Sequence, residues 1–334
     1  MNDVHVDVEG RTLKLSNLDK VLFPRTGTTK GEVLHYYAQV APVLLPHLAH
    51  RPVTRIRWPN GVSEPSFFEK NAPQGTPSWV HTARVPTTGS RAPSRNGDHL
   101  VFPIVDDLAT LTWLANLAAI ELHVHQWRVG RNGRPRNPDR LVIDLDPGEP
   151  AGLSECCQVA LLVRDKLAAR DLVGRPVTSG SKGLHLYAAL PGRLDPDRTT
   201  ALAKEIAEEL QHEHATLVTA TMTKTKRPGK VFLDWSQNAG SKTTISPYSL
   251  RGRERPFVAA PLTWAEVEAG AEDPLDVSQH VRAEENRSPR TMDDLDQRFQ
   301  KVAADHRIET ERLLEIGDDR NRRTRADQCR RAKR

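Results

Sequence analysis

An apolar segment that ends in two aspartates constrains this chain more than any other stretch. The segment LVIDLDPGEP (141–150) has the composition of a buried β-strand up to Asp146, and Pro147 and Gly148 then end it. Because side chains alternate along a strand, Asp144 and Asp146 share one face. Two carboxylates at that spacing repel by about 2 kcal/mol at an effective dielectric constant near 20. The segment therefore predicts a strand end whose carboxylates face a cation or water.

Helical and strand patterns are interspersed along the chain. Capping residues and helical periodicity predict helices that begin after Thr29 (in a capping box with Glu32), Asp106 or Asp107, Ser154, and Asp195. Pro42 is expected to end or kink the first of them. Alternating apolar residues predict strands at 52–58, at 121–127, within 175–190 on both sides of a glycine-rich turn, and at 231–236. This order indicates an α/β (α+β) fold.

Basic charge is concentrated at the C-terminal end. Residues 320–334 carry a net charge of +7, so the other 319 residues sum to −2 of the total of +5. Such a tail suits a polyanion, and the alternative is a solubilising, frayed helix end. The three cysteines form neither a disulfide framework nor a zinc motif, and signal-peptide and transmembrane patterns are missing. We therefore expect a cytoplasmic protein, associated with the nucleoid, with free thiols.

Two further segments carry groups suited to phosphate chemistry. Asp234 lies among apolar residues in VFLDWS, and three converging carboxylates would need cations, typically two Mg²⁺ or Mn²⁺ ions. The turn TSGSKGLHLY (178–187) offers backbone N–H groups together with Ser179 and Lys182, and His185 follows on the next strand. It lacks the spacing of a Walker loop. The alternatives are solvated strand ends and an ordinary hairpin turn.

Together with three other segments, these motifs resemble the polymerase domain of LigD, the bacterial non-homologous end-joining ligase, within the archaeo-eukaryotic primase superfamily. The other segments are NLDKVLFP…TGTTKGE, TRIRWPNGV…FFEK and KVFLDWSQNAGSKTTISPYSLRGR. The similarity runs in consistent order from about residue 10 to about residue 290. It implies a primase-like fold over 1–290, with a central, mostly antiparallel sheet flanked by helices. A charged helical and basic tail is expected at 291–334.

The resemblance also implies a role for each matched residue. The metal ligands and catalytic residues would be Asp144, Asp146 and Asp234. The residues that hold the incoming nucleotide would be His123, Ser179, Lys182, His185, Gln237 and Arg251. The residues that contact DNA would be Lys20 and Lys30 at a downstream 5′-phosphate, Phe67 and Phe68 on the template, and Arg55, Arg57, Lys224 and Arg227. The alternative for His123 is a satisfied strand histidine, and for one of the two phenylalanines it is core packing.

The implied function is a template-directed, DNA-dependent nucleotidyltransferase that fills short gaps and extends ends in DNA break repair. Its implied cofactors are two divalent ions, Mn²⁺ or Mg²⁺, with a preference for ribonucleotides. Its partners would be gapped or 3′-overhanging DNA with a downstream 5′-phosphate, NTP or dNTP, Ku and a DNA ligase. No ligase lysine motif or phosphoesterase region follows residue 290, so we expect either a domain cut from a larger LigD or a stand-alone enzyme, and the basic tail and native-looking start favour the stand-alone enzyme. The alternatives are a non-catalytic end-bridging module that recruits a ligase, and a primase that starts chains on single-stranded DNA.

Overall fold

A computed structural model describes residues 3–86 and 99–272, all of which belong to one unit, Met1–Asn286. The helices are α1 (Lys30–Leu48), α2 (Leu108–Asn116), α3 (Leu153–Ala168), α4 (Pro196–Glu213) and α5 (Trp264–Glu272). The strands are β1 (Val4–Val8), β2 (Arg11–Leu15), β3 (Val21–Phe23), β4 (Thr28–Thr29), β5 (Val53–Arg57), β6 (Phe67–Glu69), β7 (Thr82–Pro86), β8 (His99–Pro103), β9 (Ala119–Val124), β10 (Trp127–Val129), β11 (Pro135–Pro138), β12 (Arg140–Pro147), β13 (Gly174–Thr178), β14 (Leu184–Ala189), β15 (Val218–Thr219), β16 (Val231–Leu233) and β17 (Thr244–Ile245).

Two larger sheets organise the described part of the chain. The first has five strands in the order β13-β14-β12-β16-β15, and every pair in it is antiparallel except β15 with β16. The second has four antiparallel strands in the order β17-β9-β5-β6. The predicted α/β fold with a mostly antiparallel sheet is confirmed, and α3 and α4 pack against the five-stranded sheet through one apolar cluster.

The two faces of the central strand β12 carry different kinds of side chain. Leu141, Ile143 and Leu145 point into the cluster formed with α3 and α4. Val142 points to the opposite face, where it packs with Ile245 of β17 in the second sheet. Because side chains alternate, Asp144 and Asp146 share the face of Val142, on the side of the second sheet. The apolar half of the strand thus anchors it, and the two aspartates face the side of the second sheet.

The first helix is predicted correctly at its start but not past its middle. Thr29 caps it, and the reciprocal hydrogen bonds with Glu32 form the expected capping box. The helix nevertheless continues through Pro42 to Leu48, so Pro42 does not end it, and the alternative expectation of a kink at Pro42 stays a prediction. Ala41 and Leu44, on either side of Pro42, are buried in the core, and this packing stabilises a turn that proline alone disfavours.

Two further boundaries differ from the prediction. The helix α3 begins after Gly152 rather than after Ser154, because the side chain of Glu155 accepts the backbone N–H of Gly152 at 2.7 Å. The strand β16 ends at Leu233, so the predicted strand over 231–236 is too long. Asp234 is instead the N-cap of a 3₁₀ turn, Trp235–Asn238. The carboxylate of Asp234 therefore lies at the point where β16 ends and the 3₁₀ turn begins.

Some predicted features lie outside the described residues, namely most of the 84–98 loop and the whole tail at 291–334. Arg84 is described, and it is exposed on β7. Along residues 3–86 and 99–272, none of the helices is long and apolar enough to cross a membrane.

Candidate active site

Backbone hydrogen bonds bring the three predicted carboxylates to one edge of the five-stranded sheet. Asp144 lies directly across from His185 of β14, and Asp146 lies across from Phe232 of β16. The N–H of Asp234, the residue after β16, donates to the carbonyl of Asp144 at 2.8 Å. Asp144 is buried, and its Oδ1 lies 3.2 Å from Nε2 of His185. The strand-end cluster expected from the sequence is thus present at the level of the backbone.

The carboxylate of Asp234 accepts hydrogen bonds from residues of its own turn. Its Oδ1 accepts hydrogen bonds from the backbone N–H and the hydroxyl of Ser236, at 3.1 and 2.6 Å. Its Oδ2 accepts from Nε2 of Gln237 at 3.2 Å, which is the contact that Gln237 makes at this edge. Within the described ranges, no three Asp, Glu, His or Cys side chains are already grouped to hold a metal ion.

The charge balance at this edge nevertheless fits a divalent cation. Burial and the negative charge of Asp144 raise the pKa of Asp146, with a further contribution from Asp234, and the positive charges of His185 and Lys182 oppose the shift. Excess negative charge on oxygen donors is what Mg²⁺ and Mn²⁺ neutralise. The three carboxylates therefore suit such ions by their chemistry.

The glycine-rich turn between β13 and β14 is tight and internally bonded. The hydroxyl oxygen of Ser179, which is buried, accepts the N–H groups of Ser181 and Gly183, at 3.3 and 3.1 Å. Gly180 has φ +63°, and a Cβ there would lie 2.6 Å from Cγ of Arg251. Lys182 is exposed at the tip of the turn. The turn thus offers one cation to solvent and lies directly against Arg251.

A buried carboxylate that the sequence analysis missed links the four-stranded sheet to the segment of Arg251 and Gly252. Glu121 of β9 lies 2.8 Å from Nε2 of His123, and it accepts hydrogen bonds from Nη1 of Arg251 and from the N–H of Gly252, both at 3.0 Å. Burial opposes the ionised form, but these contacts outweigh it and lower the pKa of Glu121. His123 is therefore paired, as its alternative interpretation expected, with a partner that also holds Arg251. Alternation along the strand was an available signal, because it places Glu121 and His123 on one face.

The two lysines expected to contact a 5′-phosphate lie at the base of one hairpin. The N–H of Lys30 donates to the carbonyl of Lys20 at 2.8 Å. Lys20 donates to Asn60 at 2.9 Å, while Lys30 is buried and its ammonium donates to the carbonyl of Ser16 at 2.5 Å. Burial and the charge of Lys20 lower the pKa of Lys30 to about 8. The structure thus brings the pair together, with one ammonium exposed and the other recessed.

The two arginines of β5 share the carboxylate of Glu69, and they differ in burial. The side chain of Arg55 is 1% exposed, and it donates to Glu69 at 2.5 Å and to the carbonyl of Asn71 at 2.8 Å. Arg57 donates to the same Glu69 at 2.8 Å and to the carbonyl of Leu117 at 2.7 Å. The guanidinium of Arg55 is thus enclosed in this structure, and its contact with DNA stays a prediction. Arg57 is more accessible, at 19%.

Two aromatic side chains stand out from the edge strand β6. Phe67 is 52% exposed and Phe68 is 61% exposed. The expectation that one of them packs in the core is therefore wrong, because β6 is a short strand at the edge of the four-stranded sheet. Two adjacent exposed aromatics form an apolar patch of the kind that can serve as an interaction site.

The basic turn at 221–230 divides into exposed and packed residues. Lys224 is exposed on a 3₁₀ turn, Lys224–Lys226. Arg227 instead donates to the carbonyl of Met222 at 2.8 Å, and its guanidinium carbon lies 3.6 Å from the ring centroid of Phe232. Lys224 is therefore open to solvent, whereas Arg227 packs on the strand next to Asp146.

Comparison with solved structures gives the class of this protein. The chain is similar to the polymerase domain from Mycobacterium tuberculosis Ligase D, solved in complex with DNA, with a TM-score of 0.73 and 46% identity. The match covers 85% of this chain and 98% of that one. It confirms the archaeo-eukaryotic primase fold, and with the strand-end carboxylates it defines a nucleotidyltransferase of the polymerase class.

Sequence comparisons identify the family within this class. The family model described as LigD, primase-polymerase domain, matches residues 29–290. The multifunctional non-homologous end-joining DNA repair protein LigD of M. tuberculosis is 52% identical over 259 residues, and the bifunctional LigD of Bacillus subtilis is 35% identical over 258. These matches cover 76% and 77% of this chain, and 33% and 40% of those proteins. The chain belongs to the LigD primase-polymerase domain family, and it spans about a third of the length of the mycobacterial relatives.

Proposed function

We propose that the chain is a template-directed, DNA-dependent nucleotidyltransferase that fills short gaps and extends ends during DNA break repair. The observation that carries the proposal is the hydrogen bond between Asp234 and Asp144, which places a third carboxylate beside the acidic end of β12. Three carboxylates at one strand edge, beside a turn that carries Lys182, suit phosphoryl transfer better than a scaffold, which needs no metal ligands.

The residues at this edge of the sheet would have different roles in nucleotide transfer. Asp144, Asp146 and Asp234 would hold divalent ions, which supply activation of the primer 3′-hydroxyl and neutralisation of the leaving pyrophosphate. Lys182 and the N–H groups of the 178–187 turn would bind the triphosphate. Arg251 approaches the same turn through its contact with Gly180. Most of the transition-state stabilisation would then be electrostatic, with little demand for a general acid or base.

DNA binding is proposed from the relative that was solved in complex with DNA and from the exposed groups at the surface. Lys20 and Lys30 would receive a downstream 5′-phosphate, Phe67 and Phe68 would stack on the template, and Lys224 would contact the backbone. We extend the proposal to non-homologous end joining, with Ku and a DNA ligase as partners, because the similar LigD proteins are named for that pathway. The preference for ribonucleotides and Mn²⁺ rests on the family resemblance.

The test is incorporation of a labelled nucleotide with Mn²⁺ on gapped DNA, with and without a downstream 5′-phosphate. The wild type is expected to extend the primer, and the Asp144→Asn, Asp146→Asn double variant to be inactive while it still binds the gap. Retained activity in that variant contradicts the proposal. DNA binding without extension by the wild type identifies an end-bridging module, and products on single-stranded DNA without a primer identify a primase.

A further inference from the structure

Glu121 is a buried carboxylate that contacts His123 and Arg251, two residues that the family resemblance assigns to the incoming nucleotide. It is 5% exposed, and its Oε2 lies 2.8 Å from His123 and 3.0 Å from Arg251. Its Oε1 accepts the N–H of Gly252 at 3.0 Å, which fixes the backbone just after Arg251. One side chain of the four-stranded sheet thus contacts both the imidazole of His123 and the guanidinium of Arg251.

The arginine held by Glu121 also touches the other side of the site. Gly180 approaches Arg251 so closely that a Cβ at this position would lie 2.6 Å from Cγ of the arginine. The neighbouring Arg253 donates to the hydroxyl of Ser181 at 3.0 Å, in the same glycine-rich turn. Nε of Arg251 is buried and has no partner among the described residues. Arg251 is therefore clamped between Glu121 and the turn, and its side chain, which is 18% exposed, still reaches the surface.

We infer that Glu121 is a positioning residue for the incoming nucleoside triphosphate, acting through Arg251 and His123. The inference rests on the proposed function, in which Arg251 lies against the turn that would bind the triphosphate, and on the family resemblance, which implies that Arg251 and His123 both hold the nucleotide. Replacing the carboxylate by an amide leaves the shape nearly unchanged but removes the charge that fixes the guanidinium. Arg251 would then adopt several orientations, and the triphosphate would have to order it on binding.

The experiment measures ATP binding by calorimetry with Mn²⁺ and the KM for nucleotide on gapped DNA, using the full chain. Glu121→Gln is expected to weaken ATP binding and raise KM by about tenfold, which is the size of one charge-assisted hydrogen bond. The kcat and the affinity for DNA are expected to stay within about twofold. The matched control is Asp139→Asn, because Asp139 also bridges two arginines, Arg51 at 2.6 Å and Arg128 at 2.8 Å, and lies in no proposed site. It is expected to leave ATP binding and KM unchanged.

A double-mutant cycle separates positioning from general support of the fold. The effect of Glu121→Gln on ATP binding is expected to be at least threefold smaller in an Arg251→Gln background than in the wild type. An equal effect in both backgrounds overturns the inference, and so does unchanged ATP binding in folded Glu121→Gln. If Glu121→Gln does not fold, Glu121→Asp decides: it keeps the charge but shortens the reach, and unchanged ATP binding contradicts the inference. If the wild type binds ATP without extending DNA, only the polymerase proposal fails; if it binds no ATP, both fail.

Discussion

The backbone N–H of Asp234 donates to the carbonyl of Asp144 at 2.8 Å, so the third carboxylate of the site is attached to the strand that carries the first two. The attachment is made by main-chain atoms, and it holds whatever the side chains do. The side chain of Asp234 meanwhile caps its own turn through Ser236 at 2.6 Å. The fold therefore fixes where the negative charge is concentrated, and it leaves one of the carboxylates with a local hydrogen-bond partner.

This concentration of charge predicts that Asp146→Asn stabilises the metal-free protein. Burial and the charge of Asp144 raise the pKa of Asp146, which means that its ionised form is disfavoured in the folded state. Removing the charge is expected to raise the Tm in EDTA by about 2–4 °C, the effect of about 1 kcal/mol in a domain of this size. The gain is kept small because the side chain is partly exposed and solvent screens it. Scanning fluorimetry checks this.

Mn²⁺ is expected to reverse that order of stability. The wild type gains stability from bound cations in proportion to their affinity, and the variant has lost a ligand. Asp139→Asn serves as the control, since it breaks a bridge to Arg51 and Arg128 and is expected to lower the Tm with or without metal. A lower Tm for Asp146→Asn in EDTA would show that repulsion between the carboxylates does not limit the stability of the metal-free protein.

Lys30 predicts a pH dependence for recognition of the 5′-phosphate. Burial and the charge of Lys20 lower its pKa to about 8, so the ammonium is charged at pH 7 and largely neutral at pH 9.5. The preference for gapped DNA with a 5′-phosphate over a 5′-hydroxyl is expected to fall by about tenfold between these pH values, the size of one charge-assisted contact. The bound phosphate raises the pKa, so the decline is centred above pH 8. Competition binding at each pH measures the ratio.

The control for this pH dependence is Lys30→Arg, whose guanidinium stays charged throughout the range. The variant is expected to show a 5′-phosphate preference that changes little with pH. The size of that preference depends on how well the larger guanidinium fits. The lowered pKa of Lys30 also makes the stability of the folded protein depend on pH. Between pH 8 and 10.5 the unfolded chain binds more protons at this position than the folded one, so its contribution to the unfolding free energy rises with pH. A phosphate preference that is constant from pH 7 to 9.5 in the wild type excludes the role of Lys30.

How much of this could be predicted from the sequence depends on whether the signal is local. The capping box of Thr29 and Glu32 and the acidic strand end at Asp144 are local patterns, and both are present. The burial of Arg55 is not local: alternation puts Arg55 and Arg57 on one face, but only the pairing of β5 with β6 brings Glu69 across from Arg55 and encloses it. Glu121 was missed for the same reason, since its importance comes from Arg251, 130 residues further along the chain.

The exposed aromatics of β6 predict a loss of DNA affinity without a loss of stability. Phe67→Ala and Phe68→Ala remove side chains that are 52% and 61% exposed, so the unfolding free energy is expected to change by less than about 0.5 kcal/mol. The free energy of binding to gapped DNA is expected to weaken by the contribution of base stacking, about 1–3 kcal/mol per base. Phe23→Ala, at a fully buried position, is the contrasting variant and should cost about 3–5 kcal/mol of stability. Unchanged DNA affinity in both exposed variants would remove β6 from the binding surface.

The basic turn predicts opposite outcomes for two of its cations. Lys224 is exposed, so Lys224→Ala is expected to leave the Tm unchanged and to reduce the slope of log K against log salt by about 0.9, the value for one phosphate contact. Arg227 packs 3.6 Å from the ring of Phe232, the residue across from Asp146, so Arg227→Ala is expected to lower the Tm. Binding titrations at several salt concentrations and thermal melts measure both effects. If Arg227→Ala changes the salt slope as Lys224→Ala does while its Tm is unchanged, Arg227 contacts DNA after all, and its packing against Phe232 does not hold in solution.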